Sequence, residues 1–593
     1  MAYNDFVQSI TNAIKDALTL DDVVNGEPNT QTKSRLGRLI YSLATINHRV
    51  DVATTQANQK LTELQAAINT AAAAAAGANG WDDLLVNNID KKPLRSVNIE
   101  QVDKIADLDA LTKLDKRTVI VKSYHTPNYA LANPFKGGGT FIYDASKANV
   151  NDGGTCINGW VRQITQAEIL ATWFGAKGDG TTDDADAIQK AVNACNALNK
   201  PLRIPKGEGL GLYRITKPIS ITQAISISGD GYNYSGLRCD GCDGFVIDKG
   251  INHTSIINMT IAQATRYSDK PNNFAPIVIN GTADSNNFWQ SFSDLFIDGF
   301  GCVVKGSYFW STLFNNVISV YCGSGIHALG KSVNNFVNNC QLGGSSKAGT
   351  TGILLDGGDT VSEGWVITNN LITFFDESIT SYATSHVTVS NNILDFCVKR
   401  GVSMLDGANG ASLNWTVVDN YIATDNSSAA TAIYSINNQT ASSNQNRGHN
   451  IKGNDIVAYS GARFAYGIRT EGTAEQNTLI DGNRVDTKGG TDCSINGNAK
   501  NTVVTNNRWL SGGFYNNTSS YIVYDNNTGA VTSSADYLIQ KRGKTTVYQG
   551  SAAPTSGAYV VGDIMWNTAP TIGKPVGWVY ALDNSWKPFG MIS

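Results

Sequence analysis

Carboxylate side chains stand near aromatic ones in the middle of this 593-residue chain. Glu363, Asp376, Glu377 and Asp395 form the pool in which we expect a catalytic acid and base. Glycoside hydrolysis uses two carboxyl groups, about 5–5.5 Å apart for retention and about 6.5–9.5 Å apart for inversion. In a repetitive β fold, matching positions of adjacent turns are one strand spacing apart, so either separation is within reach.

Two long stretches between repeated motifs, residues 339–370 and 420–454, leave room for a groove beside these acids. Exposed aromatic rings offer an apolar face and a polar edge, and nearby polar groups fix the orientation of a ligand. Both features suit a carbohydrate. The residues that we expect to bind it are Trp365, Phe375, Tyr382, Tyr434, Arg447 and His449.

Elimination beside a uronic acid carboxylate is the competing chemistry. It needs a base such as Lys, His or Tyr and a cation that neutralises the acid. Lys399, Arg400, His386 and Tyr382 could serve. The sequence has neither a cluster of aspartates with calcium spacing nor a GxSxG motif, so we expect no metal and no cofactor, and we disfavour an esterase.

An asparagine motif recurs nine times between residues 316 and 527, at intervals of 20 to 34 residues. An apolar or aromatic residue stands three positions before each asparagine, and in most repeats another stands two positions after it. A period of this size with short β segments predicts a solenoid. Asparagine suits its corners because it tolerates the left-handed conformation, and stacked amides can bond along the axis. The positions are Asn316, Asn339, Asn370, Asn392, Asn420, Asn454, Asn483, Asn507 and Asn527.

The overall composition excludes several classes of protein. A formal net charge of −4 and only 16% charged residues make nucleic acid an unexpected partner. No apolar run is long enough to span a membrane. The first residues, MAYNDFVQSI, lack the pattern of a signal peptide, so we expect synthesis in a cytoplasm without secretion by the usual route.

Four segments follow from the pattern. Residues 1–80 are expected to be helical, with a heptad seam between 36 and 71 through which helices associate. We expect a small β-rich connector at residues 81–165 and the solenoid at residues 166–530. A capping helix is expected at about 183–199, with Asp183 or Asp184 as its N-cap. Residues 531–593 form a separate C-terminal module.

Residues 175–192, GAKGDGTTDDADAIQKAV, resemble the segment that leads into the right-handed parallel β-helix of the pectate-lyase-like superfamily, where bacteriophage tailspikes place a capping helix after it. GGGTFIYD at 137–144 is similar to tailspike connectors, and GDIMWNTAP at 562–570 is similar to a C-terminal module of phage tail proteins. The resemblance implies an all-β chain built as a single-stranded, right-handed parallel β-helix.

The resemblance further implies a homotrimeric tailspike on the virion that depolymerises a bacterial capsular polysaccharide or O-antigen. Residues 1–80 would attach to a tail or baseplate protein, and 531–593 would aid trimerisation or bind carbohydrate. The His-Gly element of plant-type pectin hydrolases is absent here, which disfavours a pectinase. Hydrolysis is the expected reaction. A lyase and a non-catalytic receptor-binding tail fibre stay open as alternatives.

Overall fold

The computed structural model describes residues 2–25, 31–33, 39–41, 43–75 and 100–593, except 132, 209–210, 233, 359, 409, 427–429, 439–447, 475, 498, 519–521, 532–537, 543–544 and 556–558. The chain divides into two compact units, Met1–Asn98 and Ile99–Ser593. Within the described residues, no helix has the length and apolar character needed to cross a membrane.

Two long helices, Ala2–Asn25 and Leu43–Ala75, make up most of what is described of the first unit. Two short strands, Gln31–Lys33 and Leu39–Tyr41, pair antiparallel between them. The expected heptad seam is therefore wrong at Leu39, which lies in a strand, and its first member, Leu36, lies outside the described residues. Leu61 and Leu64 on the second helix are 63% and 48% exposed. No other described part of the first unit fully covers these apolar side chains.

A five-stranded sheet opens the second unit. Its strands pair in the order Glu100–Lys104, Thr118–Ser123, Gly137–Tyr143, Trp160–Arg162, Cys156–Ile157, and short 3-10 helices cover Ile105–Ala110 and Ala145–Lys147. The buried Arg162 guanidinium donates to the carbonyls of Gly154, Gly138 and Gly137. Burial lowers the pKa of Arg162 to about 9.

A 3-10 turn, Ala171–Phe174, and a helix, Ala185–Leu198, close the start of the solenoid. Asp183 accepts a hydrogen bond from the Ala185 amide at 3.2 Å, which satisfies one helix N-terminal donor. Asp184 is buried and instead binds the Lys177 and Gly178 amides at 2.8 and 2.9 Å. Burial raises the pKa of Asp184 above its ordinary value. Both aspartates are therefore structural.

Two long sheets form the walls of the solenoid. The turns of the coil contribute to both sheets, and successive turns pair parallel, with a register shift at Ala430 and Thr431. The last strands of the first sheet, from Leu538 onward, follow the coil and include antiparallel pairs. The first long sheet has 28 described strands: Ile169–Leu170, Leu202–Ile204, Tyr213–Ile215, Ser226–Gly229, Gly236–Cys239, Ser255–Gln263, Ser291–Asp298, Leu313–Val320, Phe336–Asn338, Gln341–Gly343, Val366–Thr368, Leu371–Thr373, Thr388–Ser390, Ile393–Asp395, Thr416–Val418, Tyr421–Thr424, Asn450–Lys452, Asp455–Ala458, Leu479–Asp481, Arg484–Asp486, Val503–Thr505, Arg508–Trp509, Ile522–Asp525, Leu538–Arg542, Thr545–Gly550, Ile564–Asn567, Pro575–Tyr580 and Trp586–Met591.

The second long sheet has 12 described strands: Ile219–Ile221, Phe245–Ile247, Ile277–Asn280, Cys302–Ser307, Ser324–Leu329, Thr351–Asp356, Glu377–Tyr382, Arg400–Leu405, Ala430–Ile436, Phe464–Glu471, Thr491–Gly497 and Phe514–Thr518. Short pairs close the third side of the coil: Asn287–Phe288 with Phe309–Trp310, and Ser362–Glu363 with Thr384–Ser385. The predicted parallel β-helix is confirmed.

Apolar side chains of successive turns stack into one continuous core. On the second long sheet, for example, Ile353, Ile379, Val402, Ile433 and Ile468 occupy one register column, and all are fully buried. Because each turn covers the apolar face of the next, the core lengthens with the number of turns and needs no second layer.

The predicted bonding between stacked asparagine amides is also confirmed. The Nδ2 atoms of Asn370, Asn392, Asn420, Asn454 and Asn483 each donate to Oδ1 of the next asparagine at 2.9–3.0 Å. The expected left-handed backbone is wrong for these residues, because the residue before each one makes the corner. Asn316 and Asn339 alone among the nine are left-handed, since they sit one position earlier in their turns.

Candidate active site at one corner of the coil

Three of the four predicted acids meet where the first long sheet passes into the second. One turn leaves the first sheet at Leu371–Thr373 and enters the second at Glu377–Tyr382, and the next turn does so at Ile393–Asp395 and Arg400–Leu405. Thr373 pairs with Asp395, which fixes the two turns as direct neighbours. We call residues 374–377 and 395–400 the acidic corner. Its acids are Asp376, Glu377 and Asp395.

A pair of phenylalanines stands at the acidic corner. Phe374 and Phe396 stack with centroids 4.6 Å apart and planes 13° apart. Phe374 is 42% exposed. Both backbones are left-handed, with φ of 63° and 53°, a conformation that bulky side chains rarely adopt. The two rings lie face to face on adjacent turns, and the exposed part of Phe374 adds an apolar surface beside the acids.

Asp395 is held by two protein donors on one oxygen. Its Oδ1 accepts from the Phe396 amide at 2.8 Å and from the Tyr459 hydroxyl at 2.9 Å. Tyr421 in turn donates to the Tyr459 hydroxyl at 3.1 Å. Burial, together with the bonds to Tyr421 and Asp395, raises the pKa of Tyr459, so its hydroxyl stays a donor. Oδ2 of Asp395 has no protein partner within the described ranges.

Asp376 is half-buried and binds one backbone donor. Its Oδ2 accepts from the Gly349 amide at 2.9 Å, which ties the acidic corner to the loop of the preceding turn. Its own amide donates to the Thr350 hydroxyl at 3.1 Å. Its Oδ1 makes no hydrogen bond to any residue that the structure describes. Asp376 and Asp395 thus each have one carboxylate oxygen without a hydrogen-bond partner among the described residues.

Glu377 is different, because both of its carboxylate oxygens are occupied. It is only 8% exposed. Lys399 Nζ lies 3.0 Å and Arg400 Nη1 3.5 Å from Oε1, and the Thr380 hydroxyl donates to Oε2 at 2.5 Å. Glu377 is therefore an acceptor that positions Lys399 and Arg400, and both of its oxygens are engaged by protein groups.

A ladder of arginines and tyrosines continues from Arg400 along the outer face of the second long sheet. The Arg400 guanidinium lies 4.9 Å from the Tyr434 ring centroid, and Arg469 lies 5.7 Å from the same ring. Arg469 also pairs with Glu471 through two nitrogens. Burial and the hydrogen bond to Glu471 raise the pKa of Tyr434 to about 12. The predicted Tyr434 is therefore half-buried and lies next to Arg400 of the acidic corner.

Three predicted binding residues are corrected by the structure. Trp365 and Phe375 are fully buried, and His449 is 2% exposed, so none of them can contact a sugar. Trp365 donates its indole N–H to the Ser332 carbonyl at 3.1 Å, and His449 Nδ1 accepts from the Trp415 amide at 3.2 Å. All three side chains point inward because alternate residues of each short strand or corner face the core.

The remaining predicted residues lie elsewhere. Glu363 is exposed on the third side of the coil, where it pairs with Ser385, and so it lies outside the acidic corner. Tyr382 is half-buried at the far end of its strand, in register with Asp356 and Leu405. Arg447 falls outside the described residues.

Sequence reasoning did not select Phe396, Tyr459 and Tyr421. A signal for the first was present, because Phe374 and Phe396 each follow a ladder asparagine by four positions. Two of the residues considered for elimination, Lys399 and Arg400, lie at the acidic corner. His386 lies on another corner of the coil, where its ring nitrogen is 3.1 Å from the Asn414 side-chain amide. Across the described part of the chain, no group of three or more His, Cys, Asp or Glu side chains could hold a metal.

Two families match successive parts of the chain. Residues 101–165 match the phage tail protein small four-stranded β-sheet domain, and residues 170–456 match the rhamnogalacturonase A/epimerase, pectate lyase-like family. The matches cover the connector sheet and most of the coil in the order expected from the sequence. The two matches confirm the resemblance of residues 101–165 to phage tail proteins and of residues 170–456 to the pectate-lyase-like superfamily.

Solved structures with a similar fold include phage tailspikes. The tailspike gp42 of Acinetobacter phage vb_AbaP_AS12 is 16% identical, with a TM-score of 0.53 over 80% of this chain and 83% of that one. Tailspike protein 2 of Escherichia coli O157:H7 bacteriophage CAB120 is 13% identical, with a TM-score of 0.43 over 77% and 52% of the two chains. The GH87 α-1,3-glucanase of Streptomyces thermodiastaticus is 18% identical, with a TM-score of 0.47 over 63% and 72%. No curated protein matches the chain.

Proposed function

We propose that this protein is a bacteriophage tailspike that binds a bacterial capsular polysaccharide or O-antigen and cleaves it by glycoside hydrolysis at the acidic corner. The observation that carries the proposal is the placement of Asp376 and Asp395 on adjacent turns beside the outward-facing Phe374–Phe396 stack. The phage tail domain match and the tailspikes of similar fold support the biological setting.

The arrangement suggests a role for each group. Sugar rings stack on Phe374, which places a glycosidic bond over the two aspartates. Asp395, held by Tyr459 and the Phe396 amide, stays an acceptor and acts as base or nucleophile. Asp376 protonates the leaving oxygen. Glu377 takes no proton in this scheme, because its ion pairs with Lys399 and Arg400 fix those cations at the corner.

The test is cleavage of capsule or O-antigen from a panel of bacteria, followed through new reducing ends. Asp376→Asn and Asp395→Asn should each lower kcat by about 10²–10⁴-fold, the usual contribution of general acid–base catalysis. Asp284→Asn, which changes an exposed acid on a turn outside the corner, is the matched control and should behave as wild type. The anomeric form of the first product distinguishes retention from inversion.

Two results would contradict hydrolysis. An unsaturated sugar that absorbs in the ultraviolet would identify a lyase, for which Tyr459, Lys399 and Arg400 stand at the same corner. Binding without turnover, unchanged by Asp376→Asn and Asp395→Asn, would identify a non-catalytic tail fibre.

We further propose a homotrimer on the virion tail, attached to a tail or baseplate protein by the N-terminal unit. The apolar side chains exposed on its two helices, among them Phe6, Ile14 and Leu61, support helix association there. The C-terminal strands from Thr545 to Met591 would aid trimerisation or carbohydrate binding.

A further inference from the structure

A second set of aromatic rings lies on a different corner of the coil. This corner comes just before each turn enters the first long sheet, and the residues that form it are all left-handed: His253, Trp289, Ser311, Asn334, Gly364, His386 and Asn414. Backbone bonds link them in a column, since the Trp289 amide donates to the Trp310 carbonyl and the Ser311 amide to the Val333 carbonyl. We call this column the left-handed corner.

Trp289 has the largest side chain in this column. Its φ is 54°, a value that small or amide side chains tolerate and bulky ones adopt rarely. It is also 54% exposed, so burial of the indole does not offset the strain. A strained backbone that presents a large apolar ring to solvent points to a function outside folding.

The rings around Trp289 form a platform. His253 stacks on Trp289 with centroids 4.9 Å apart and planes 17° apart. Phe288 lies 5.4 Å from Trp289 and 5.1 Å from Trp310, and Lys331 Nζ lies 5.8 Å from the Trp310 ring centroid. We call His253, Phe288, Trp289 and Trp310 the aromatic platform. It joins an apolar surface of stacked, tilted and edge-on rings to an imidazole and an ammonium group.

We propose that the aromatic platform is a second polysaccharide-binding site, which tethers the same polymer that the acidic corner cleaves. A saccharide fits because the platform is bordered by hydrogen-bonding groups. Lys331 stands on one side, and Ser311 and Asn334 follow along the axis. A stable contact with another protein subunit would need a larger apolar surface than the four rings of the aromatic platform provide. The left-handed corner does not extend that surface, because it continues through Asn334, Gly364 and His386.

The platform lies apart from the acidic corner. Trp289 precedes the strand Ser291–Asp298, and that strand is three turns before the strand Val366–Thr368 of the acidic turn. Three strand spacings amount to about 14 Å along the axis. A polymer held at one site is therefore offered to the other at high effective concentration, which increases retention without a new contact at the acids.

The inference rests on the proposed function, and its test uses full-length protein that carries Asp376→Asn and Asp395→Asn, so that the polymer survives. The probe is the polysaccharide that wild type shortens. Adding Trp289→Asn should weaken retention of this polymer by about tenfold, since stacking of one ring contributes about a factor of ten or less. Asparagine fits the left-handed backbone, as Asn334 and Asn414 do, so the melting temperature should hold or rise.

Tyr129→Ala is the matched control, because Tyr129 is 69% exposed in the connector, outside both sites. Equal retention by Trp289→Asn and Tyr129→Ala would overturn the inference while leaving the proposed function intact. Dissociation of the assembly by Trp289→Asn, seen in sedimentation, would overturn it in favour of a subunit contact. If wild type neither binds nor cleaves any bacterial glycan, the proposed function fails and this inference falls with it.

Discussion

Asp395 shows how one side chain of the acidic corner depends on a partner far along the chain. Tyr459 reaches it from two turns later, and Tyr421 on the turn between donates to Tyr459. Because the raised pKa of Tyr459 keeps its hydroxyl protonated, Asp395 has a permanent donor on Oδ1. The donor fixes Oδ1 and leaves Oδ2 without a partner among the described residues, and we propose that Tyr459 is a positioning residue.

Tyr459→Phe should therefore lower kcat about tenfold with little change in KM, because the substrate does not touch this hydroxyl in the proposed arrangement. Steady-state kinetics with the purified polysaccharide measures kcat and KM separately. Tyr421→Phe removes only the outer donor and should have the smaller effect. Equal kinetics for Tyr459→Phe and wild type would exclude the positioning role.

At the scale of the element, the asparagine ladder stabilises the bend within the first long sheet. Asn420 uses its whole amide, since Oδ1 accepts from the Asn392 amide N–H and side chain while Nδ2 donates to Asn454 and to the carbonyls of Val389 and Val418. A buried ladder of this kind satisfies polar groups that the tight turn would otherwise leave unpaired.

Asn420→Ala should cost about 2–4 kcal/mol of unfolding free energy, because it leaves buried donors and acceptors on both neighbouring turns without partners. Asn420→Asp keeps the acceptor and loses the donor, and it should be less stable than wild type as well. The midpoint of denaturant unfolding measures the change. Asn501→Gly, which removes an exposed pair with Asn477 and tolerates the left-handed backbone at this position (φ 57°), is the control for which little change is expected. An unchanged midpoint for Asn420→Ala would mean that water replaces the ladder.

At the scale of the whole molecule, the coil converts sequence distance into axial position. Residues 22 apart, such as Thr373 and Asp395, become neighbours, and different corners of one rod carry the acids and the aromatic platform. Such a rod is stabilised turn by turn, so a charge that forms inside one turn weakens the contact with both neighbours. His449, inside the coil, is such a group.

Burial lowers the pKa of His449 to about 4 from an ordinary value of 6.5. The unfolded chain binds this proton at a higher pH than the folded one, so stability is flat above pH 6.5, falls as the pH drops toward 4, and is flat again below. The loss from this residue amounts to about 3 kcal/mol. His449→Asn removes the titration and keeps an acceptor for the Trp415 amide, as Asn335 does for Thr312.

Thermal unfolding measured between pH 4 and 7 should therefore decline less steeply for His449→Asn than for wild type. Part of the slope should remain, because burial also lowers the pKa of His327 to about 4. His386→Gln, which changes an exposed histidine, should leave the slope as in wild type. If His449→Asn keeps the full slope, this residue does not control the acid limit of stability.

Much of the fold could be predicted from the residues themselves. The asparagine period, the apolar positions around Asn370 and Asn392 and the leading segment at 175–192 all indicated a parallel coil. These features are local, and each repeat carries the same information about its own turn. The acids Asp376, Glu377 and Asp395 could be selected for a related reason, since nearby segments of adjacent repeats become neighbours even where the acids themselves are not in register.

Only the tertiary structure decided which way each side chain faces and which groups it contacts. Phe374 faces solvent and Phe375 the core because the corner turns left-handed at the first of them. A shift of one residue moves a side chain from the core to the solvent side of the coil. Strands of three residues are too short for the alternation of apolar and polar residues to show which side chains face the core. The distant partners of Asp395 and the strained Trp289 likewise follow from the stacking of turns, which the spacing along the chain does not specify.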